Sequence, residues 1–190
     1  MIVSIHQPNF MAWYPFFKKV QEADVFVILS NCQYQKNGDQ NRFTIDGQRY
    51  TMSVNGSFDL ISNKKYINYK KDWNKIKTNL SGRYRKELEY FDPFISDSMA
   101  QTNSDIINEI VRLLGIKTKI EYDYPTDLCG TDRLLDICKK YGASVYLSGK
   151  SGVNYLEKEK FYNENISIIY QTYKEEDKLP ILEVIKNVVK

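Results

Sequence analysis

The chain has 190 residues, 42% of them hydrophobic, and 27 Lys and Arg stand against 24 Asp and Glu for a net charge of +3. That length suffices for one well-buried core and is read as a single domain, 1–190. A balance this close to neutral, with bases scattered among acids as in NKKYINYKK followed by DWNK, gives no electrostatic case for a nucleic-acid partner.

The predicted elements follow in chain order. Ile2, Val3 and Ile5 form a short β-branched run that stops at His6-Gln7-Pro8-Asn9, so the reading is a strand, a turn with Asn9 as turn or N-cap residue, and a helix through Trp13–Phe17. Val25–Leu29 is apolar without alternation, as in a strand covered on both faces. The polar segment SNCQYQKNGDQNR after it is a loop. Arg42–Ile45 and Gln48–Val54 flank Asp46-Gly47, which predicts a β-hairpin inserted beside the main sheet. Asp72 is expected to cap a helix over Trp73–Leu80, with a second over Tyr84–Phe91, interrupted at Asp92-Pro93. Ile106, Ile107, Ile110, Val111 and Leu114 give one helical face ended by Gly115. Thr118–Tyr122 reads as the third sheet strand, Arg133–Tyr141 as a helix capped by Thr131 or Asp132 and stopped by Gly142, Ser144–Leu147 as the fourth strand, Ile166–Tyr170 as the fifth, and Leu179–Val189 as a terminal helix. Strands alternating with helices imply an α/β sheet covered on both faces.

Three motifs carry a family resemblance: HQPNF at the N-terminus, ADVFVILSNCQYQKNGDQNR, and YGASVYLSGKSGVNYLE. In this order they resemble the WbqC-like family, associated with bacterial O-antigen and other surface-polysaccharide gene clusters, from Met1 to about Asn165. Members commonly carry more residues after the last helix, so Leu179–Lys190 corresponds to the start of that region. The opening is also similar, more distantly, to Rossmann-like nucleotidylyltransferases, where a histidine-bearing turn and helix N-terminus receive phosphates. Here Ala12 and Pro15 replace the expected Pro and Gly, and Trp13 and Tyr14 stand where histidines would. The resemblance implies a three-layer, mainly parallel five-stranded sheet of order 3-2-1-4-5.

Among residues able to carry chemistry, His6 is the one histidine, titrating near neutrality when unperturbed. It is either a general base or phosphate contact, or a turn residue bonded to a backbone carbonyl. Ser148–Tyr155, with Gly149 and Gly152, offers backbone donors to an anion or is a plain glycine turn. Gln7, Asn9, Gln33, Tyr34 and Asn41 suit sugar hydroxyls or a base edge, and Arg42 suits phosphate. Ser148 and Tyr155 complete the candidate set.

The expected ligand is a small molecule, a nucleotide or nucleotide sugar, used in acyl or nucleotidyl transfer; a non-catalytic binding protein is the alternative. Cys32, Cys129 and Cys138 lack CxxC spacing and lie far from His6, so no metal site is expected. No stretch approaches the roughly 18–20 apolar residues of a membrane span, and a cytoplasmic location is expected.

Overall fold

The computed structural model describes residues 1–56 and 58–189. Along the chain the elements are β1 (Ile2–His6), α1 (Tyr14–Gln21), β2 (Val25–Ile28), β3 (Arg42–Ile45), β4 (Gln48–Thr51), α2 (Tyr69–Tyr90), α3 (Met99–Leu113), β5 (Lys119–Tyr122), α4 (Gly130–Lys140), β6 (Val145–Ser148), α5 (Lys158–Asn163), β7 (Ser167–Tyr170) and α6 (Ile181–Ile185). The main sheet runs β5-β2-β1-β6-β7 with every pair parallel, which is the expected 3-2-1-4-5 order. Val3 lies beside Val25 and Ile5 beside Val27; across the other edge of β1, Ser4 lies beside Leu147.

Alternate residues of the central strands feed two cores. Val3, Ile5, Val25 and Val27 pack with Leu134, Ile137 and Cys138 of α4 and Phe161 of α5. Phe26 and Ile28 join Phe16, Phe17 and Val20 of α1 in a larger core that also holds α2, α3 and the hairpin. Each large apolar side chain fully buried there contributes about 1.5–3 kcal/mol. Covering both faces explains why VFVIL shows no alternation.

The hairpin forms as expected, and its turn residues Asp46 (φ 49°) and Gly47 (φ 78°) both take positive φ, matching a right-twisted two-residue connection. Several boundaries differ from the sequence reading. Asn9 caps nothing: α1 starts at Tyr14, and the intervening Phe10, Met11 and Ala12 are buried because so apolar a run cannot stay in water. The two helices expected over Trp73–Phe91 form one 22-residue helix with a break at Tyr84 (φ −134°), and Asp72 accepts the Ser53 N–H at 2.7 Å instead of capping. α3 begins at Met99, capped by Ser98. α4 starts at Gly130, three residues before the expected Arg133, because Thr131 and Asp132 are used elsewhere: Thr131 accepts the Glu157 N–H and Asp132 binds Lys160. α5 was not anticipated, and α6 is shorter than the expected Leu179–Val189.

Candidate functional site

In a parallel sheet every loop that follows a strand leaves from one edge, and ligands of open α/β sheets bind there. In this chain that edge holds a cleft of about 820 Å³. Its walls come from the ends and following loops of four strands: Ile5–Gln7 and Asn9 after β1, Leu29, Asn31–Gln33, Gln35 and Gly38–Gln40 after β2, Thr126–Gly130 with Arg133 after β5, and Tyr146, Ser151 and Tyr155 from β6 and its loop. A smaller, mostly apolar pocket of about 210 Å³ shares Asn9 and Asp39 with it and is otherwise lined by residues such as Phe10, Met11, Arg42 and Ile181.

His6 ends β1 with its carbonyl accepting the Leu29 N–H at 2.8 Å. Its Nδ1 lies 2.9 Å from the Gln7 carbonyl, and since a carbonyl only accepts, Nδ1 carries the proton and Nε2 remains an acceptor. Phe16 meets the ring edge-on at 5.0 Å. Burial, and then the charge of Lys19, push the imidazole pKa down to about 3, outweighing the opposing hydrogen bond to Gln7. Burial and the Lys19 charge thus both favour the neutral imidazole.

Lys19 reaches this region from α1. It is 2% exposed, and its Nζ donates to the Ile5 carbonyl at 3.1 Å and lies 5.8 Å from the Phe26 ring. Burial lowers its pKa to about 7. Among the described residues no carboxylate pairs with it.

Gln7 bridges two walls: its Oε1 accepts from Gln40 Nε2, and its Nε2 donates to Cys32 Sγ at 3.2 Å. Burial pushes the Cys32 thiol up to about 11, so it stays protonated and serves as a packing and hydrogen-bonding group.

The pattern of the WbqC-like protein family matches residues 7–181. The chain belongs to that family. An uncharacterized protein of Mycobacterium tuberculosis (strain H37Rv), Rv1507c, is 25% identical over 189 residues, spanning 90% of this chain and 82% of its own. No solved structure matches at a significant level.

Of the expected site residues, His6, Gln7 and Asn9 of the turn after β1 line the cleft, together with Gln33 and Tyr155. Other expected site residues are elsewhere. Tyr34 and Asn41 are buried and bonded to each other at 3.1 Å, with Asn41 also donating to the Met52 carbonyl at 2.7 Å, so they hold the hairpin. Arg42 lines the smaller pocket, its Nε fixed on the Gly38 carbonyl at 3.0 Å. Ser148 is fully buried with its Oγ on the Gly149 carbonyl, and that Oγ lies 2.0 Å from where a Gly152 Cβ would be. Gly152 is therefore a packing glycine, and neither it nor Gly149 lines the cleft. Position after a strand brought these segments to the right edge, but the direction of each side chain was set by packing.

Sequence reasoning missed Asp123 and Arg133. Asp123, buried at the end of β5, accepts from Ser30 N and Oγ, Asn31 N and Nδ2, and Arg133 Nη2 at 2.9–3.2 Å. It ties the end of β5 to the loop after β2, and so shapes the wall that carries Cys32 and Gln33. The only sequence signal was one acid and one base ten residues apart in a segment with three acids and that single base.

Proposed function

We propose that this WbqC-like chain is an enzyme of surface-polysaccharide (O-antigen) synthesis that takes a nucleotide-linked sugar or related activated donor into the carboxyl-edge cleft and transfers an acyl or nucleotidyl group. The observation that carries this reading is the cleft itself. Its volume of about 820 Å³ falls in the roughly 300–1,000 Å³ range of small-molecule sites. Its wall combines amide groups suited to hydroxyls (Gln7, Asn9, Gln33, Gln40), an aromatic ring (Tyr155) and an imidazole. His6 acts at the reacting group through Nε2. A bound anion beside the ring favours its protonated form, so ligand and proton binding are coupled.

One observation favours the binding-only alternative: an imidazole held near pKa 3 is a poor proton acceptor at neutral pH. The two readings separate in one experiment. Thermal shifts are measured against nucleotides and nucleotide sugars, and every stabilising compound is then assayed for transfer to hydroxyl or amine acceptors. Binding at 100 times Kd should raise stability by about 2.7 kcal/mol. For an enzyme, His6→Gln should keep affinity within a few fold but lower turnover on the order of 10²-fold. Stabilisation of both proteins with no turnover by either selects the binding role. No stabilisation by any compound removes both readings.

A further inference from the structure

The Asn9–Trp13 turn and the N-terminus of α1 are the places where the sequence suggested a phosphate, and the structure closes that helix end. Pro15 has no N–H, and the Tyr14 N–H donates to the Leu179 carbonyl at 3.0 Å. The Ser148 loop is also spent, since its buried hydroxyl is turned onto Gly149 and packed against Gly152.

The opposite side of the cleft is different. We propose that the first turn of α4 is the phosphate subsite, in which the N–H groups of Gly130, Thr131 and Asp132 and the guanidinium of Arg133 take a phosphate of a nucleoside diphosphate group. This rests on the nucleotide reading above. α4 has 11 residues, and its N-cap, Cys129, makes no side-chain hydrogen bond. Among the described residues none of the three N–H groups has an acceptor, and Cys129, Gly130 and Arg133 all line the cleft. Such a helix end carries partial positive charge and free donors.

Arg133 is the second, independent observation. Its side chain is 4% exposed, and Nη2 alone is bonded, to Asp123 at 3.1 Å and to the Tyr124 carbonyl. Among the described residues Nε and Nη1 have no hydrogen-bond partner. Nη1 lies 3.8 Å from Asp136 Oδ2, too far for a hydrogen bond, and the Tyr124 ring covers the guanidinium at 4.4 Å. Side chains on a helix lean toward its N-terminus, and Arg133 lines the cleft as Gly130 does. Buried donors on a cation are nearly always satisfied, and a phosphate oxygen supplies the matching acceptor.

The acids nearby are accounted for except two that line the cleft, Asp39 and Asp127. Asp123 is neutralised by Arg133, Asp132 binds Lys160 at 2.7 Å, and Asp136 accepts the Tyr124 hydroxyl. Asp127 lines the cleft with no partner among the described residues, so it repels a bound phosphate. At the other end, buried Gln40 leaves Oε1 unbonded among the described residues, beside Gln7, an acceptor for a hydroxyl or amine. Gln7, Gln40 and His6 line the same cleft as Gly130 and Arg133. A diphosphate at α4 can thus carry its attached sugar or nucleoside toward Gln7, Gln40 and His6.

The test is an amide and arginine Nε NMR titration of the intact chain with pyrophosphate, UDP and uridine, repeated on Asp127→Asn. UDP should move the signals of Gly130, Thr131, Asp132 and Arg133 Nε, and uridine should not. A response to pyrophosphate as well makes the site a general diphosphate site; a response to UDP alone makes it specific for nucleoside diphosphates. Asp127→Asn, an exposed change, should tighten UDP binding about threefold or more. Shifts confined to His6–Asn9 or Gly149–Gly152, or an unchanged affinity in Asp127→Asn, overturn the subsite while leaving the cleft as the ligand site. No shift with UDP or with any nucleotide sugar overturns the subsite and the nucleotide reading together.

Discussion

Replacing Lys19 with Met isolates the cost of one buried ammonium. Its pKa falls from the usual 10.5 to about 7 on folding, through burial. Below pH 7 both folded and unfolded chains carry the proton, and the folded one does so in a desolvated place. Between 7 and 10.5 the unfolded chain binds more protons, so stability rises with pH across that window. A depression of about 3.5 units corresponds to about 5 kcal/mol in full, of which about 2 kcal/mol is recovered between pH 7 and pH 9. Methionine keeps the unbranched apolar stem and removes the charge, at the cost of the hydrogen bond to the Ile5 carbonyl, about 1 kcal/mol. Lys19→Met should therefore be more stable than wild type at pH 7 by on the order of 2–4 kcal/mol, with the rise between pH 7 and pH 9 largely gone. Urea unfolding followed by circular dichroism at pH 6, 7, 8 and 9 measures this below the tyrosine range. Equal pH slopes for the two proteins would show that the ammonium is not desolvated, and the reasoning would fail.

Because the Lys19 charge also depresses His6, the same variant should raise the imidazole pKa. Wild-type His6 should remain the neutral Nδ1–H tautomer at pH 5 in ring-nitrogen NMR, and an imidazolium signal at that pH would contradict its placement. With its folded pKa near 3 against an ordinary 6.5, the unfolded chain takes up the proton first, so stability should fall as pH drops from 6.5 toward 3. Asp123→Asn leaves Arg133 buried and unpaired and weakens the bonds to Ser30 and Asn31; a loss of about 3–5 kcal/mol in urea unfolding is expected, and a loss below about 1 would mean the pair is dispensable. Gly152→Ala puts a methyl 2.0 Å from Ser148 Oγ and should cost about 1–3 kcal/mol. Adding Ser148→Ala should recover much of this in thermal unfolding; no recovery would locate the clash elsewhere.

Part of the site could be read without the structure. Connecting parallel strands by helices forces their carboxyl ends to one edge, so the HQPN turn, the loop after Val25–Ile28 and the loop after Val145–Ser148 had to share that edge. Which side chains look into the cleft could not be read. Tyr34 and Gln33 are adjacent, yet Gln33 lines the cleft and Tyr34 is buried against Asn41. The Asp123–Arg133 pair was hidden because its other partners, Ser30 and Asn31, lie more than ninety residues away in the chain.

By itself the sequence determined the local character of the chain: β-branched runs that must be strands, the Asp46-Gly47 hairpin, the helical face of Ile106–Leu114, and the family signature in HQPNF. These follow from short-range sterics and from the period of apolar residues, which every segment carries within itself. Tertiary structure decided how the charges were divided. Lys18 and Lys19 are identical neighbours in sequence, but packing α1 on β1 and β2 points Lys18 outward to Asp177 at 2.9 Å and Lys19 inward to Ile5. The same long-range packing filled the helix end that followed the histidine turn and left open the one at Gly130. Desolvation depends on what surrounds a group in space, and adjacent residues on a helix point about 100° apart, so sequence alone could not assign which lysine would be buried or which helix end would stay free.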